Sequence, residues 1–252
     1  MKSISALSLL ISMVFTSCVR ADGVADLRAA LERLQGNGPI SGKLESTVVD
    51  YRGKGKDKVE KNGRVAINLE DGKRGLQITF SNEVLDQVDA EAYDKIKDEN
   101  ADTPTLNAVN RIEATELKTV LSSASSLIRR LEQATFIDEQ EIDYLGKAMR
   151  ILNFELPIET IVSDKRTREY VDNFQGNFQI IIDQDGTPLE TQLDFEGDGR
   201  AYIVLTMEAY GTGVTKFKVI DQRLVTMHQE ITTKFKSTFG ERETTETMQL
   251  VL

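Results

Sequence analysis

The chain has 252 residues, a formal net charge of −10 and a single cysteine. This length is sufficient for one domain with its own core, and a single cysteine excludes both a fold held together by disulfides and a cysteine-rich zinc site. The acidic charge argues against nucleic acid or anionic lipid headgroups as partners attracted by bulk electrostatics.

The first 21 residues have the layout of a secretory signal peptide. Lys2 supplies a positive start, a mostly apolar run covers residues 4–15, and Val19-Arg20-Ala21 ends the segment on a small residue. The run is too short to span a bilayer as a stable helix. We therefore expect cleavage after Ala21 and a periplasmic or secreted protein, with residues 22–252 forming a single exported domain.

A second interpretation of the same segment is a lipoprotein signal. Phe15-Thr16-Ser17-Cys18 resembles a lipobox, in which the cysteine thiol is acylated and becomes the new N-terminus. Thr and Ser suit the two positions directly before the cysteine, whereas Phe at the third position before it is less common than Leu. Lipid attachment at Cys18, giving a membrane-anchored protein, therefore stays open as the alternative. No later segment is apolar for long enough to predict a transmembrane span.

The exported part begins with one helix and three strands. Residues 25–35 form an amphipathic pattern with Leu27, Leu31 and Leu34 on one face, and Gly36-Asn37-Gly38-Pro39 ends it. Three strands are predicted over residues 41–51, 59–69 and 75–80 because apolar and polar residues alternate between turn signals.

Two helices are predicted next. The first, over residues 82–98, is strongly acidic, and its inward positions are Val84, Leu85, Val88, Ala92 and Ile96. The second covers residues 106–133 and carries a continuous apolar stripe. The stripe consists of Leu117, Val120, Leu121, Ala124, Leu127, Ile128 and Leu131. We expect the stripe to pack on a sheet; a coiled-coil partner face is the alternative.

Strands dominate from residue 136 to the end. They are predicted over residues 178–182, 189–195, 201–207, 217–220, 224–231, 233–239 and 248–252. No linker rich in Pro, Gly or Ser divides the chain. The predicted fold class is therefore α+β, with a curved, half-barrel-like antiparallel sheet, an N-terminal helix and a two-helix insertion packed on one face.

Groups that would carry catalysis or bind metal are sparse. His228 is the only histidine, and without a Gly-x-Ser-x-Gly elbow it is predicted to be a solvent-facing strand residue. Asp183-x-Asp185-Gly186 resembles the start of a calcium loop, but the twelfth residue from Asp183 is Asp194 instead of Glu, so a hairpin turn is favoured.

Three alternating acids and several basic residues are the remaining candidates. Asp194, Glu196 and Asp198 point to one strand face, where they form a cation site, paired acids or, as the simplest interpretation, a solvated surface. Gly53-Lys54-Gly55-Lys56 lacks the spacing of a phosphate loop. Three further basic residues flank strands, where they either bind an anionic ligand or, as the default interpretation, are isolated surface arginines. These are Arg166, Arg168 and Arg200. No catalytic residue, metal ligand or cofactor is predicted.

Two short places carry a family resemblance. One is the helix-to-strand passage from Asp26-Leu27-Arg28 to Leu44, and the other is the strand 178–182 followed by Asp185-Gly186-Thr187. In these and in the order of elements, the chain resembles the periplasmic lipoprotein carriers of the LolA/LolB-like superfamily. It departs from them in its greater length, its larger helical insertion and its lack of tryptophan. The resemblance implies a half-barrel with a concave apolar surface for acyl chains, but it identifies no lining residue.

These observations lead to three hypotheses. The leading one is an exported, non-enzymatic binding protein that holds a lipid, a lipidated protein or another apolar ligand in a cleft between sheet and helices. The second is an envelope interaction or structural protein, with or without a lipid anchor at Cys18, that binds a protein partner through its acidic face or its apolar stripe. The third and weakest is a carboxylate-based hydrolase that uses Asp194, Glu196 or Asp198.

Overall fold

The computed structural model describes residues 22–55, 58–162, 164–201 and 205–252. The predicted signal peptide, its cleavage site and Cys18 lie outside these residues, as does Lys56. Among the described helices, none combines the length and the apolar character that crossing a membrane requires.

The described residues form one open antiparallel sheet of ten strands with six helices, which confirms the predicted α+β class. In chain order the elements are α1 (Gly23–Arg33), β1 (Ile40–Arg52), β2 (Val59–Gly72), β3 (Gly75–Thr79), α2 (Asn82–Lys97), α3 (Pro104–Val109), α4 (Ala114–Leu121), α5 (Ala124–Gln133), β4 (Thr135–Tyr144), β5 (Lys147–Glu155), a 3-10 turn (Ile158–Thr160), α6 (Lys165–Arg168), β6 (Val171–Ile182), β7 (Pro188–Ala201), β8 (Leu205–Ile220), β9 (Arg223–Ser237) and β10 (Gly240–Val251).

The sheet joins two meanders. Its strand order is β3-β2-β1-β10-β9-β8-β7-β6-β5-β4, so the first and last strands pair in its interior, with Leu44 opposite Leu250. The two edges are therefore β3 and β4, which follow each other in the chain with only helices between them. Consequently α2 to α5 must cross the sheet from one edge to the other.

These crossing helices and α1 bury the apolar side of the sheet in two clusters. One cluster joins α1 and α5 to β5 and β6 and includes Leu31, Leu131 and Phe178. The other joins α3 and α4 to β1, β2 and β10 and includes Leu117 and Leu250. Because side chains alternate along each strand, every second residue of β1 from Leu44 to Asp50 is buried while its neighbours are not.

The predicted helix 106–133 is interrupted twice, so the insertion contains four helices instead of two. The stripe is buried: Leu117 and Leu121 are fully inaccessible and Leu131 is 4% exposed, which confirms packing on the sheet and removes the stripe as a partner surface. The second interruption has a clear cause. The Ser123 backbone N–H leaves the helix and donates to the Leu224 carbonyl at 2.9 Å, while the Ser123 hydroxyl donates to the Thr119 carbonyl.

The expected inward face of α2 is only partly correct. Val84, Val88 and Ala92 are half-buried, but Leu85 is 48% exposed and Ile96 is 83% exposed. The residue of α2 that is fully buried is Glu91. Its carboxylate accepts the backbone N–H groups of Leu106 at 2.7 Å and Thr105 at 3.2 Å, in the first turn of α3. A helix in the crossing layer is thus positioned by a polar contact that apolar periodicity does not reveal.

Candidate functional site

A cleft of about 270 Å³ lies between α4, α5 and the helix-covered face of the sheet. It has a mixed apolar and polar lining. The lining residues are Glu116, Thr119, Val120, Ser123, Ser126, Leu127, Arg130, Thr191, Thr215, Phe217, Thr226, Gln229 and Ile231.

Regular geometry brings these residues together. On α4, Glu116, Thr119 and Val120 share one face because they are spaced by three and four residues. On the sheet, Thr191 of β7 stands opposite Thr215 of β8, and Thr215 stands opposite Gln229 of β9. Residues in direct register point to the same face, so these three polar side chains form a row beneath the helices.

Arg130 is the basic residue of the cleft. Its guanidinium carbon lies 5.2 Å from the centre of the Phe178 ring, and Phe178 is fully buried beneath it. Burial lowers the pKa of this guanidinium, although an arginine keeps its charge at neutral pH. Within the part of the chain that the structure describes, its guanidinium has no ion-pair or hydrogen-bond partner. It makes a cation–π contact with the Phe178 ring instead.

Several other polar side chains around the cleft also lack hydrogen-bond partners among the described residues. The side chains of Ser126, Thr191, Thr215 and Gln229 have no hydrogen-bond partner among the described residues, although Thr191 is only 4% exposed. By contrast, the Ser123 and Thr226 hydroxyls pair with each other at 2.8 Å. Buried polar groups normally find partners. The row from Thr191 to Gln229 therefore offers hydrogen bonds to whatever enters the cleft.

Glu116 lies toward the β10 side of the cleft, away from Arg130. Burial, with the negative charges of Glu246 and Glu113 nearby, raises the pKa of its carboxyl to about 7. Glu246 itself accepts a hydrogen bond from Arg111 at 2.9 Å. Glu246 belongs to β10 and Phe178 to β6, four strands away. The two ionisable residues of the cleft thus lie toward opposite ends of it.

A second polar cluster surrounds Asp50 on the same face of the sheet. Arg52 contacts its carboxylate at 2.7 Å, Arg242 at 2.8 Å, and the Thr244 hydroxyl donates to it at 3.2 Å. Burial alone raises the pKa of Asp50, but the hydrogen bonds from Arg242 and Arg52 outweigh it and hold the pKa at about 2. With every partner in place, this cluster fastens β1 to β10.

The three alternating acids lie on the other face of the sheet, outside the cleft. Leu193 packs into the core, so its neighbour Asp194 points away from the helices, and Glu196 and Asp198 follow with period two. All three are exposed and line shallow hollows, the larger of which measures about 440 Å³. Asn177 donates to Asp194 at 2.8 Å.

The predicted calcium-like segment is a hairpin turn, as favoured by the sequence. Asp183 accepts the Thr187 N–H at 3.0 Å, and Gly186 has a positive φ of 83°. A side chain at Gly186 would collide with the Asp26 backbone of α1, so glycine is required there. Asp185 is paired with Arg33 at 2.6 Å. Across the residues that the structure describes, no three His, Cys, Asp or Glu side chains form a group able to hold a metal ion.

The remaining basic and titratable candidates are separate from the cleft. The His228 Nδ1 lies 3.0 Å from the Gln249 amide oxygen on the outer face of β9. Arg166 is exposed on α6, the Arg168 guanidinium donates to the Val162 carbonyl at 2.7 Å, and Arg200 is exposed on β7. None of them lines the cleft.

Glu116 and Arg130 were not singled out from the sequence. The available signal was their position at the margin of the apolar stripe, where Glu116 precedes Leu117 and Arg130 precedes Leu131. Charged residues in such places usually extend to water, so the pattern alone does not distinguish a cleft residue from a surface residue.

Comparison of the chain with protein families, with curated proteins and with solved structures gives no match.

Proposed function

We propose that this protein is an exported, non-enzymatic binding protein that holds a small apolar or amphiphilic ligand in the cleft between α4, α5 and the sheet. The observation that carries the proposal is the cleft itself, a space of about 270 Å³ in the helix-to-sheet interface. Ligand sites usually measure roughly 300–1,000 Å³. The cleft is therefore suited to a small or single-chain ligand more than to a lipid with two acyl chains.

The lining supports binding of this kind. Val120, Leu127, Phe217 and Ile231 supply apolar surface, while the row of hydroxyls and an amide supplies a few convergent polar contacts. Pockets for small molecules typically combine these two features. The proposal agrees with the acyl-chain surface that the carrier resemblance implies, and it retains the exported location predicted from the N-terminal segment.

The proposal is tested by titrating the protein with 1-decanol, a neutral single-chain probe, by isothermal titration calorimetry. We expect saturable binding with a negative heat-capacity change, because apolar surface leaves water when the chain enters the cleft. Thr215→Phe should abolish this binding by filling the cleft. Thr212→Phe is the matched control, because Thr212 lies on the same strand but faces the helix-free side.

The proposal fails if wild-type protein does not bind decanol, or if both phenylalanine variants bind as well as wild type. Thermal unfolding of both variants, compared with wild type, identifies any loss of binding that results from loss of the fold.

Native mass spectrometry of protein purified from its own host tests the exported location and the ligand together. A mature chain that starts at Asp22 and carries a lipid-sized added mass supports the soluble carrier. A chain that starts at an acylated Cys18 and carries no ligand favours the anchored interaction protein instead.

A further inference from the structure

Arg130, which is half-buried, differs from the two arginines that the described fold buries. Arg150 has a side chain only 5% exposed and pairs with Asp26 at 2.8 Å and Glu139 at 3.4 Å. Arg223 has a side chain 6% exposed and pairs with Asp71 at 2.7 Å. Arg130 is half-buried at the edge of the cleft, and no described carboxylate lies within ion-pair distance of it.

The lack of a counter-charge leaves the Arg130 guanidinium open to a ligand. The chain carries 41 acidic residues, so carboxylates are plentiful. Partial burial costs a cation some of its hydration, and proteins commonly compensate by pairing it with a carboxylate. The Phe178 ring offsets part of this cost through a cation–π contact, but a ring face cannot satisfy five N–H donors.

The surroundings of Arg130 indicate what would satisfy it. Leu127 of the same helix and Ile231 of the sheet give the cleft apolar walls, and unengaged hydroxyls from Ser126, Thr191 and Thr215 line it as well. A guanidinium forms its strongest contacts with planar or tetrahedral oxyanions, to which it donates two parallel hydrogen bonds. The cleft thus presents one cation, several neutral donors and an apolar wall.

We propose that the ligand of the cleft is a single-chain amphiphile with an oxyanion head, and that Arg130 binds the head while the chain lies along the apolar wall. This inference rests on the proposed function. The head is a carboxylate or a phosphate, since the guanidinium fork fits both, and the experiment separates these two sources.

The experiment compares the affinities of decanol, decanoate and decyl phosphate by calorimetry at about pH 6, where both acids carry charge. We expect wild-type protein to bind at least one anionic probe about tenfold more tightly than decanol, as charge-assisted hydrogen bonds imply. Preference for decanoate identifies a fatty carboxylate; preference for decyl phosphate identifies a phosphate head. Either preference supports the inference.

Arg130→Gln should remove this preference, measured within the variant as the ratio of its anionic-probe affinity to its decanol affinity. Arg129→Gln is the matched control, because it is the next residue of α5, loses the same charge and is exposed. Arg130→Lys should retain part of the preference, since it keeps the charge but loses the fork. Saturable decanol binding by each variant, with thermal unfolding like that of wild type, shows that the substituted cleft is still folded.

Three results would overturn the inference, and they show whether the proposed function fails with it. If wild-type protein binds decanol as tightly as the anionic probes, or if Arg130→Gln still binds an anionic probe more tightly than decanol, then Arg130 does not bind the head group. The proposed binding function stands in both cases. If no probe binds, the proposed function fails and the inference fails with it.

Discussion

Glu116 is the ionisable residue of the cleft whose charge changes near neutral pH. Its ordinary pKa is 4.5, and burial beside Glu246 and Glu113 raises it to about 7 in the folded protein. The folded state therefore holds the proton more tightly than the unfolded chain. The stabilisation from this group is fully present below about pH 4.5 and is lost as the pH rises through about 7.

We expect Glu116→Gln to reduce the loss of stability between about pH 5 and about pH 8. A shift of this size is worth at most about 3 kcal/mol, and water that reaches the cleft reduces it to about 1–2 kcal/mol. Urea unfolding across this range measures the difference. Exposed Glu132→Gln on α5 is the control and should follow wild type. Parallel pH profiles for wild type and Glu116→Gln would show that burial does not perturb Glu116.

For α4 and α5, the sequence predicts which apolar residues are buried, but not which polar residues lie beside them. Leu117, Val120 and Leu131 follow the helical period, so their burial was predictable. Arg130 lies at the margin of the same apolar stripe, directly before Leu131. Its role depends on Phe178, which lies 48 residues later in the chain, and on the lack of a carboxylate within ion-pair distance among the described residues. Both facts depend on residues that are distant in the chain, so local sequence patterns do not predict them.

At the level of elements, Glu91 connects α2 to α3. The pKa of its carboxyl is lowered: burial alone would raise it, but the N–H groups of Leu106 and Thr105 and the amide of Gln87 outweigh that effect. A carboxylate at a helix N-terminus is favoured by the helix dipole and by the unpaired N–H groups there. Stability from this contact is present above the ordinary pKa and is lost as the pH falls through the lowered value.

Glu91→Gln should lower the free energy of unfolding by about 1–2 kcal/mol at neutral pH, because the buried amide loses the charge and one of its acceptor sites. Urea unfolding measures this change. Asp89→Asn removes the same charge from an exposed position of α2 and should cost much less. An equal effect of the two substitutions would mean that Glu91 does not cap α3.

Some element boundaries are set by adjacent residues in the chain and others by hydrogen-bond partners far from them in the chain. Strand alternation predicted β1, β2 and β3 closely, because each is bounded by turn residues. The predicted break at residue 232 is absent, since Thr232 and Thr233 continue the β9 ladder and pair with Thr245 and Thr244. Conversely, the helix break at Ser123 arises from its bond to Leu224. Partners far along the chain therefore decide where elements end.

On the scale of the whole molecule, the sheet is continuous because β1 pairs with β10. Ten register pairs join them, from Lys43 opposite Val251 to Arg52 opposite Arg242. Adjacent strands predict a meander from local turns alone. Nothing local predicts that the last strand returns to the first, because this pairing joins residues about 200 positions apart. The position of the cleft above β7, β8 and β9 depends on this pairing of β1 with β10.

Leu44 and Leu250 face each other across this junction and are 0% and 1% exposed. We expect Leu250→Ala to lower the free energy of unfolding by about 2–4 kcal/mol, as for other buried leucines. If the sheet unfolds as one unit, hydrogen exchange should show the same loss of protection in distant β5 and β6 as in β1 and β2. Val251→Ala, 54% exposed, is the control and should change protection little. A loss confined to β1, β2 and β3 would instead mean that the two meanders unfold independently and that the β1–β10 pairing joins two separately stable halves.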